Sequence, residues 1–280
     1  MNKKSLLSTP YILWTVLFTI VPLIIILIFS LSASSKIGSL STDFTLDRYV
    51  QFFEPIYADV FFRSIKLSLY STVFCLILGY PVAYIIANKK MRMRNFLILF
   101  IILPQWTNFL LRTYAWMSIL KDNGPINSFL INIGLIKEPL TLLYTDGAVL
   151  MGMVYNFLPY MILPIYTVIL KIDKAYVEAA RDLGASSAIT FRKIILPLSM
   201  PGIVSGIIMV FMPAISTFVI SDLLGGGHSM LMGNLIQNQF LAARNWQFGS
   251  AISMILIAII LITMLVLNRY SSSDKGGALW

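Results

Sequence analysis

Cysteine and histidine are almost missing from this chain: Cys75 and His228 are the only examples in 280 residues. A single cysteine excludes an internal disulfide. One histidine with one cysteine cannot assemble a Cys/His metal cluster, although a carboxylate-only site stays open. His228, beside the glycine run 225–227, reads as a loop residue rather than a catalytic base. No GxxxxGK followed by Ser or Thr is present to cradle ATP phosphates, and no HExxH, GxSxG or CxxC pattern occurs. The sequence therefore predicts no enzyme, and no metal or cofactor held by this chain. Charge is scarce at 12%, and acidic residues are scarcer than basic ones, 12 against 21.

What is abundant is hydrocarbon. A hydrophobic content of 58% and a mean hydropathy of +0.83 mark an all-α, polytopic membrane protein rather than a soluble domain with a large core. Six apolar runs, 11–31, 61–87, 96–120, 148–170, 201–220 and 248–267, predict six transmembrane helices in one domain over 1–280. About 20 residues suffice for each crossing. The first run follows Lys3 and Lys4. It exceeds the roughly 7–15 apolar residues of a cleaved signal peptide, so a retained anchor is expected despite the small residues Ser32 to Ser35.

In a soluble protein a net charge of +9 would point to nucleic acid; here the positions of the charges decide. Six spans put both termini, the link NKKMRMRN and the stretch 171–200 on one side. That side carries 13 basic residues against four acids (Asp173, Glu178, Asp182 and Asp274), and the remaining basic and acidic residues balance at eight each. The whole excess lies with the termini, which the positive-inside rule makes cytoplasmic. Lipid, not nucleic acid, is the expected partner of this surface.

The longest polar interruption between spans on that side is KIDKAYVEAARDLGASSAITFRKIILPLSM, residues 171–200. Asp173 is placed to cap a helix over 174–183 whose Tyr176, Ala179, Ala180 and Leu183 share one shallow face. Gly184 can supply a left-handed turn, Ser186 or Ser187 can cap a second helix, and Pro197 and Pro201 are expected to stop it. Spacing alone also fits an ordinary solvated loop.

Within the spans, Pro22, Pro81, Pro104, Pro159, Pro164 and Pro213 fall in five of six, which suits a bundle that moves. Gly202 and Gly206 form one GxxxG close-packing motif. The third span places Trp106, Asn108, Arg112, Tyr114 and Trp116 at membrane depth. A charge there costs roughly 2.5–3.5 kcal/mol and usually faces a cavity or partner. Arg112 either does so or snorkels to the outer surface, and Trp106 is either a path residue or an interfacial anchor. Asp222, at the outer end of the fifth span beside Phe218, offers a carboxylate and an aromatic face, the chemistry that would hold a cation. Tyr155 and Asn156 in the fourth span are similar path candidates.

The central stretch resembles the EAA motif of bacterial ABC-importer permeases: Glu178, Ala179, Ala180, Gly184, Ile194, Leu196 and Pro197 stand at every defining position. The resemblance implies a type I importer fold whose cytoplasmic coupling helix, with Arg181 and Asp182 as further polar contacts, sits in a groove of an ATPase subunit. Further blocks, FTLDRYVQFFEPIYADVFFRSIKLSL, LGYPVAYIIA, LPQWTNFLLRTYAW, ARDLGAS and SDLLGGGHSMLMGNLIQNQF through NWQFG, resemble the B-type permease of spermidine/putrescine importers. Iron, thiamine and aminoethylphosphonate importers share some of them. That family implies a second, C-type permease, two ATPase subunits that hold ATP and magnesium, and an extracytoplasmic binding protein in a bacterial inner membrane. The acids Asp43, Asp47, Glu54 and Asp59 would then meet the binding protein or form a solvated loop. An ion-coupled transporter or channel is the reading of another class. It calls for no stretch of this spacing, and no matching inverted halves are visible.

Overall fold

The computed structural model describes residues 10–33 and 44–272, the last five by backbone alone. Lys3, Lys4, Ser34, Ser35, Asp43 and Asp274, weighed above for sidedness, processing and docking, lie outside the described residues. Among these the structure is helical, with one isolated antiparallel bridge between Ser32 and Phe44. In chain order the helices are α1 Pro10–Leu31, α2 Asp47–Gln51, α3 Pro55–Ala87 and α4 Met91–Ile102, which a tight turn prolongs to Trp106. Then come α5 Phe109–Leu120, α6 Pro125–Asn132, α7 Asp146–Leu170, α8 Lys174–Asp182 and α9 Ser187–Leu198. The chain continues through α10 Met200–Ser216, α11 Val219–Gly225, α12 Met232–Leu241 and α13 Trp246–Ser272.

Four helices, α1, α3, α7 and α13, are long and apolar enough to cross a membrane, and two bent pairs raise the number to six if each pair is one span. The continuous helix expected over 96–120 is instead broken after Trp106 and turned by 92°. Likewise the run 201–220 ends as helix at Ser216, leaves Thr217 extended and restarts as α11. The first break falls at the polar run QWTN, residues 105–108, inside an otherwise apolar stretch, and the second at Ser216 and Thr217.

The described residues form two compact units. One comprises those up to Phe62 with Met232–Leu261, the other Arg63–Leu231 with those from Ile262 onward. In the first, Phe52, Met232, Leu235, Phe248 and Ile252 form a buried cluster, Tyr57 packs edge-on against Phe248, and the hydroxyls of Ser30 and Tyr49 lie 2.8 Å apart. The side chains of Leu13, Trp14 and Phe18 on α1 are exposed, as lipid contact requires.

The second unit is built around α7, whose N-cap Thr145 accepts the Ala148 N–H at 3.1 Å. Helix α10 crosses it closely because Gly202 and Gly206 leave room: a Cβ at Gly206 would stand 2.6 Å from Met161 Sδ, and one at Gly202 3.0 Å from the Pro164 carbonyl. The GxxxG motif is thus spent on a helix of the same chain. Gly79 of α3 meets α7 in the same way at Met161 and Ile162. Met153, Met161, Ile165, Val210, Ile220 and Leu224 fill the core. At one end of this unit Arg63 donates to the His228 carbonyl and Ser229 to the Asp146 carboxylate. His228 is accordingly an exposed turn residue.

A surface helix pair and its attachment to the bundle

Helix α8 begins where Asp173 Oδ1 accepts the Ala175 N–H at 3.0 Å. It ends in a Schellman motif: Gly184 adopts φ +78°, its N–H donates to the Arg181 carbonyl at 2.9 Å, and the Ala185 N–H reaches the Ala180 carbonyl at 2.9 Å. Ser186 Oγ then accepts the Ile189 N–H at 3.4 Å and opens α9. These are the caps that the residue types prescribe. Ala180 is pressed into the structure at 8% exposure, while Glu178, Arg181 and Asp182 point outward and Leu183 is 88% exposed. Tyr176, Ala179, Leu183, Ile189 and Ile194 line a shallow apolar groove between α8 and α9. An open apolar groove rimmed by charge is a surface suited to a protein partner.

The second helix ends at Leu198, between Pro197 and Pro201, as expected. Residues Phe191–Ile195 form a π-turn, Pro197 begins the following turn, and the direction changes by 61° at Ser199 into α10. Leu196 packs against the core and Pro197 is exposed. The π-turn aims Phe191 at α3. Its ring meets Tyr80 edge-on at 5.7 Å and Tyr84 at 5.4 Å. Ser199 Oγ lies 2.9 Å from Tyr80 Oη and 2.9 Å from the Leu196 carbonyl. Since the serine hydrogen serves the carbonyl, Tyr80 is the donor to Ser199. The surface pair is therefore in contact with α3 through Phe191 and Ser199 and joined to α10 at the bend. Tyr80, Tyr84, Phe191 and Ser199 carried no local signal, because their partners lie more than a hundred residues away in sequence.

A second polar cluster closes the break between α4 and α5. Asn108 caps α5 by accepting the Leu110 N–H at 2.8 Å. Arg112 donates to the Pro104 carbonyl at 2.6 Å and to Gln105 Oε1 at 3.4 Å, and Gln105 Nε2 donates to the Asn156 carbonyl at 3.2 Å. A helix that ends inside the bundle leaves its last carbonyls without partners, and a guanidinium satisfies them and the helix dipole together. Arg112 thus turns back on the break instead of snorkelling outward. Trp106 stands on the break at 75% exposure. Tyr155 is part-exposed and packs edge-on against Trp116 at 5.2 Å. Phe218 opens α11 and Asp222 lies one turn on; that helix packs on α5 and α7, the helices that carry Arg112 and Tyr155.

Residues 79–272 match the family of binding-protein-dependent transport system inner membrane components. The chain is 41% identical over 258 residues to the spermidine/putrescine transport system permease protein PotB of Escherichia coli K12, covering 92% of this chain and 94% of that protein. To the protein of the same name from Haemophilus influenzae it is 39% identical over 256 residues, with 91% and 90% covered. Among solved structures, a chain of a bacterial alginate ABC transporter in complex with an alginate pentasaccharide-bound periplasmic protein superposes with a TM-score of 0.81 at 17% identity. There 98% of this chain and 96% of that one are covered. A chain of the methionine ABC transporter MetNI superposes with a TM-score of 0.56 at 16% identity over 77% of this chain and 94% of that one. The matched residues include the capped helix pair, its attachment to α3 and both broken spans, and on that match the chain belongs to the inner-membrane components of binding-protein-dependent transport systems.

Proposed function

We propose that this chain is a permease subunit of an ATP-driven importer of polyamines, forming the translocation path with a second permease. The observation that carries the reading is the 41% identity, over 92% of the chain, to a permease named for spermidine and putrescine. ATP and magnesium belong to a pair of cytoplasmic ATPase subunits, and a solute-loaded binding protein docks on the opposite side. Helices α8 and α9 seat in the ATPase through Glu178, Ala179, Arg181, Asp182 and Leu183, with Gly184 setting the turn between them. Ala180, Ile194, Leu196 and Pro197 hold that pair to the bundle.

When the ATPase subunits close, the pair moves as a body. Phe191 passes the displacement to Tyr80 and Tyr84, and the bend at Ser199 passes it to α10. Each state of the bundle is then favoured by whichever partner or nucleotide binds it more tightly. On the solute side, Asp222 and Phe218 offer charge pairing and a cation–π face to an ammonium group, with Tyr155, Trp106 and Asn108 along the broken helices. Arg112 contributes by holding the break, since its two terminal nitrogens serve Pro104 and Gln105.

The test is ATP hydrolysis by the complex in vesicles with its binding protein, offered spermidine, putrescine, thiamine or ferric iron. Stimulation by a polyamine alone is expected. Stimulation by another solute alone would replace the substrate, and uptake that follows an ion gradient with no ATPase bound would remove the importer reading.

A further inference from the structure

Two neighbouring features near the α3–α4 turn belong to neither cluster described above. The first is a pocket lined by Tyr84, Asn88, Lys89, Arg94, Lys174 and Ile195, among others. Three cations face it and no carboxylate lines it. Arg94 Nε is itself buried without a hydrogen-bond partner among the described residues. The second is an apolar groove on the outer side of the same helices, lined by Val82, Ile85, Ile86, Leu97, Phe100 and Ile101. The two share helices α3 and α4. Lys89 follows α3 two residues past its end, and Leu97 and Ile101 stand about one and two turns beyond Arg94 on the same face of α4.

We infer that this is a binding site for one anionic phospholipid: the headgroup phosphate sits among Lys89, Arg94 and Lys174, and an acyl chain lies in the groove of Ile85, Ile86, Leu97 and Phe100. Charge complementarity selects the occupant. A basic pocket and a hydrocarbon groove carried by the same two helices match a lipid that is anionic at one end and apolar at the other. An acidic surface of the ATPase would satisfy the cations and leave the groove unexplained. Because Lys174 opens α8, the lipid would also brace the base of the surface helix pair.

The assay is native mass spectrometry of the purified complex released from nanodiscs of phosphatidylglycerol and phosphatidylcholine in equal parts. Wild type should carry phosphatidylglycerol in preference to phosphatidylcholine. At roughly fivefold per cation near an anionic lipid surface, the triple variant Lys89→Gln, Arg94→Gln, Lys174→Gln should retain about a hundredfold less. Leu97→Trp, which fills the groove and leaves every charge, should also lose the lipid, whereas Lys89→Arg with Lys174→Arg should keep it. Equal retention by the triple variant would overturn the site. So would displacement of the lipid by soluble glycerol phosphate, or loss of the ATPase from a triple variant that keeps its lipid. The readout is lipid retained per complex, so it stands or falls independently of which solute is transported.

Discussion

Gly184 shows how a single residue separates folding from coupling. It adopts φ +78°, and nothing lies within 4 Å of the position its Cβ would take. A side chain there costs about 1–2 kcal/mol through the left-handed backbone, whatever its size, because no neighbour in this chain is displaced. Gly184→Ala and Gly184→Trp should therefore reach the membrane in similar amounts. They should differ in function: the tryptophan projects into the space proposed for the ATPase contact. Solute-stimulated ATP hydrolysis is expected to survive largely in the alanine variant and to be lost in the tryptophan variant. Normal ATP-driven uptake with Gly184→Trp would remove the coupling role from α8.

Between elements, the proposed transmission runs through Phe191. Its two edge-on contacts, with Tyr80 and Tyr84, are worth about 0.5–1.5 kcal/mol each beyond the area they cover. Phe191→Ala should thus weaken the link between the surface pair and α3 by about 1–3 kcal/mol, a five- to hundredfold change in the balance between coupled and slack arrangements. ATP hydrolysis should continue while solute moved per ATP falls, and Phe191→Tyr should largely restore it. An unchanged transport-to-hydrolysis ratio in the alanine variant would assign the transmission to the Ser199 bend alone. This contact marks the limit of what could be read from residue order. Asp173, Gly184 and Ser186 declare the helix ends locally, because a cap is made by its own neighbours. The breaks after Trp106 and Ser216 fall at the short polar runs 105–108 and 216–217, which do not say that the helix turns there, and the first is held by Arg112, Gln105 and the carbonyl of Asn156, some fifty residues away. Pro197 reads as a stop and the helix ends one residue later at Leu198, whereas the π-turn before it has no such local mark.

At the scale of the molecule, the charge asymmetry becomes a statement about orientation. The basic link after α3 and the stretch around α8 are separated by some eighty residues, yet Lys89, Arg94 and Lys174 line one pocket, so both lie at one end of the second unit. The other end gathers Arg63, Asp146, His228 and Ser229, where positive and negative groups and backbone carbonyls answer one another. Helix α7, with 25 residues at about 1.5 Å each, runs from Asp146 to Leu170 and holds the two ends about 37 Å apart, enough to span the hydrocarbon core. The positive-inside rule predicts that the end carrying Lys89, Arg94 and Lys174 faces the cytoplasm. Cysteine labelling tests this directly, because the native Cys75 is 0% exposed and gives little background. Lys90→Cys should react with a membrane-impermeant maleimide only in inside-out vesicles, and Lys137→Cys, in the segment leading to Asp146, only in right-side-out ones. The reverse pattern would invert the molecule and place α8 where no ATPase can reach it. The coupling assignment and the basic lipid site would then both need a source of negative charge on the outer face.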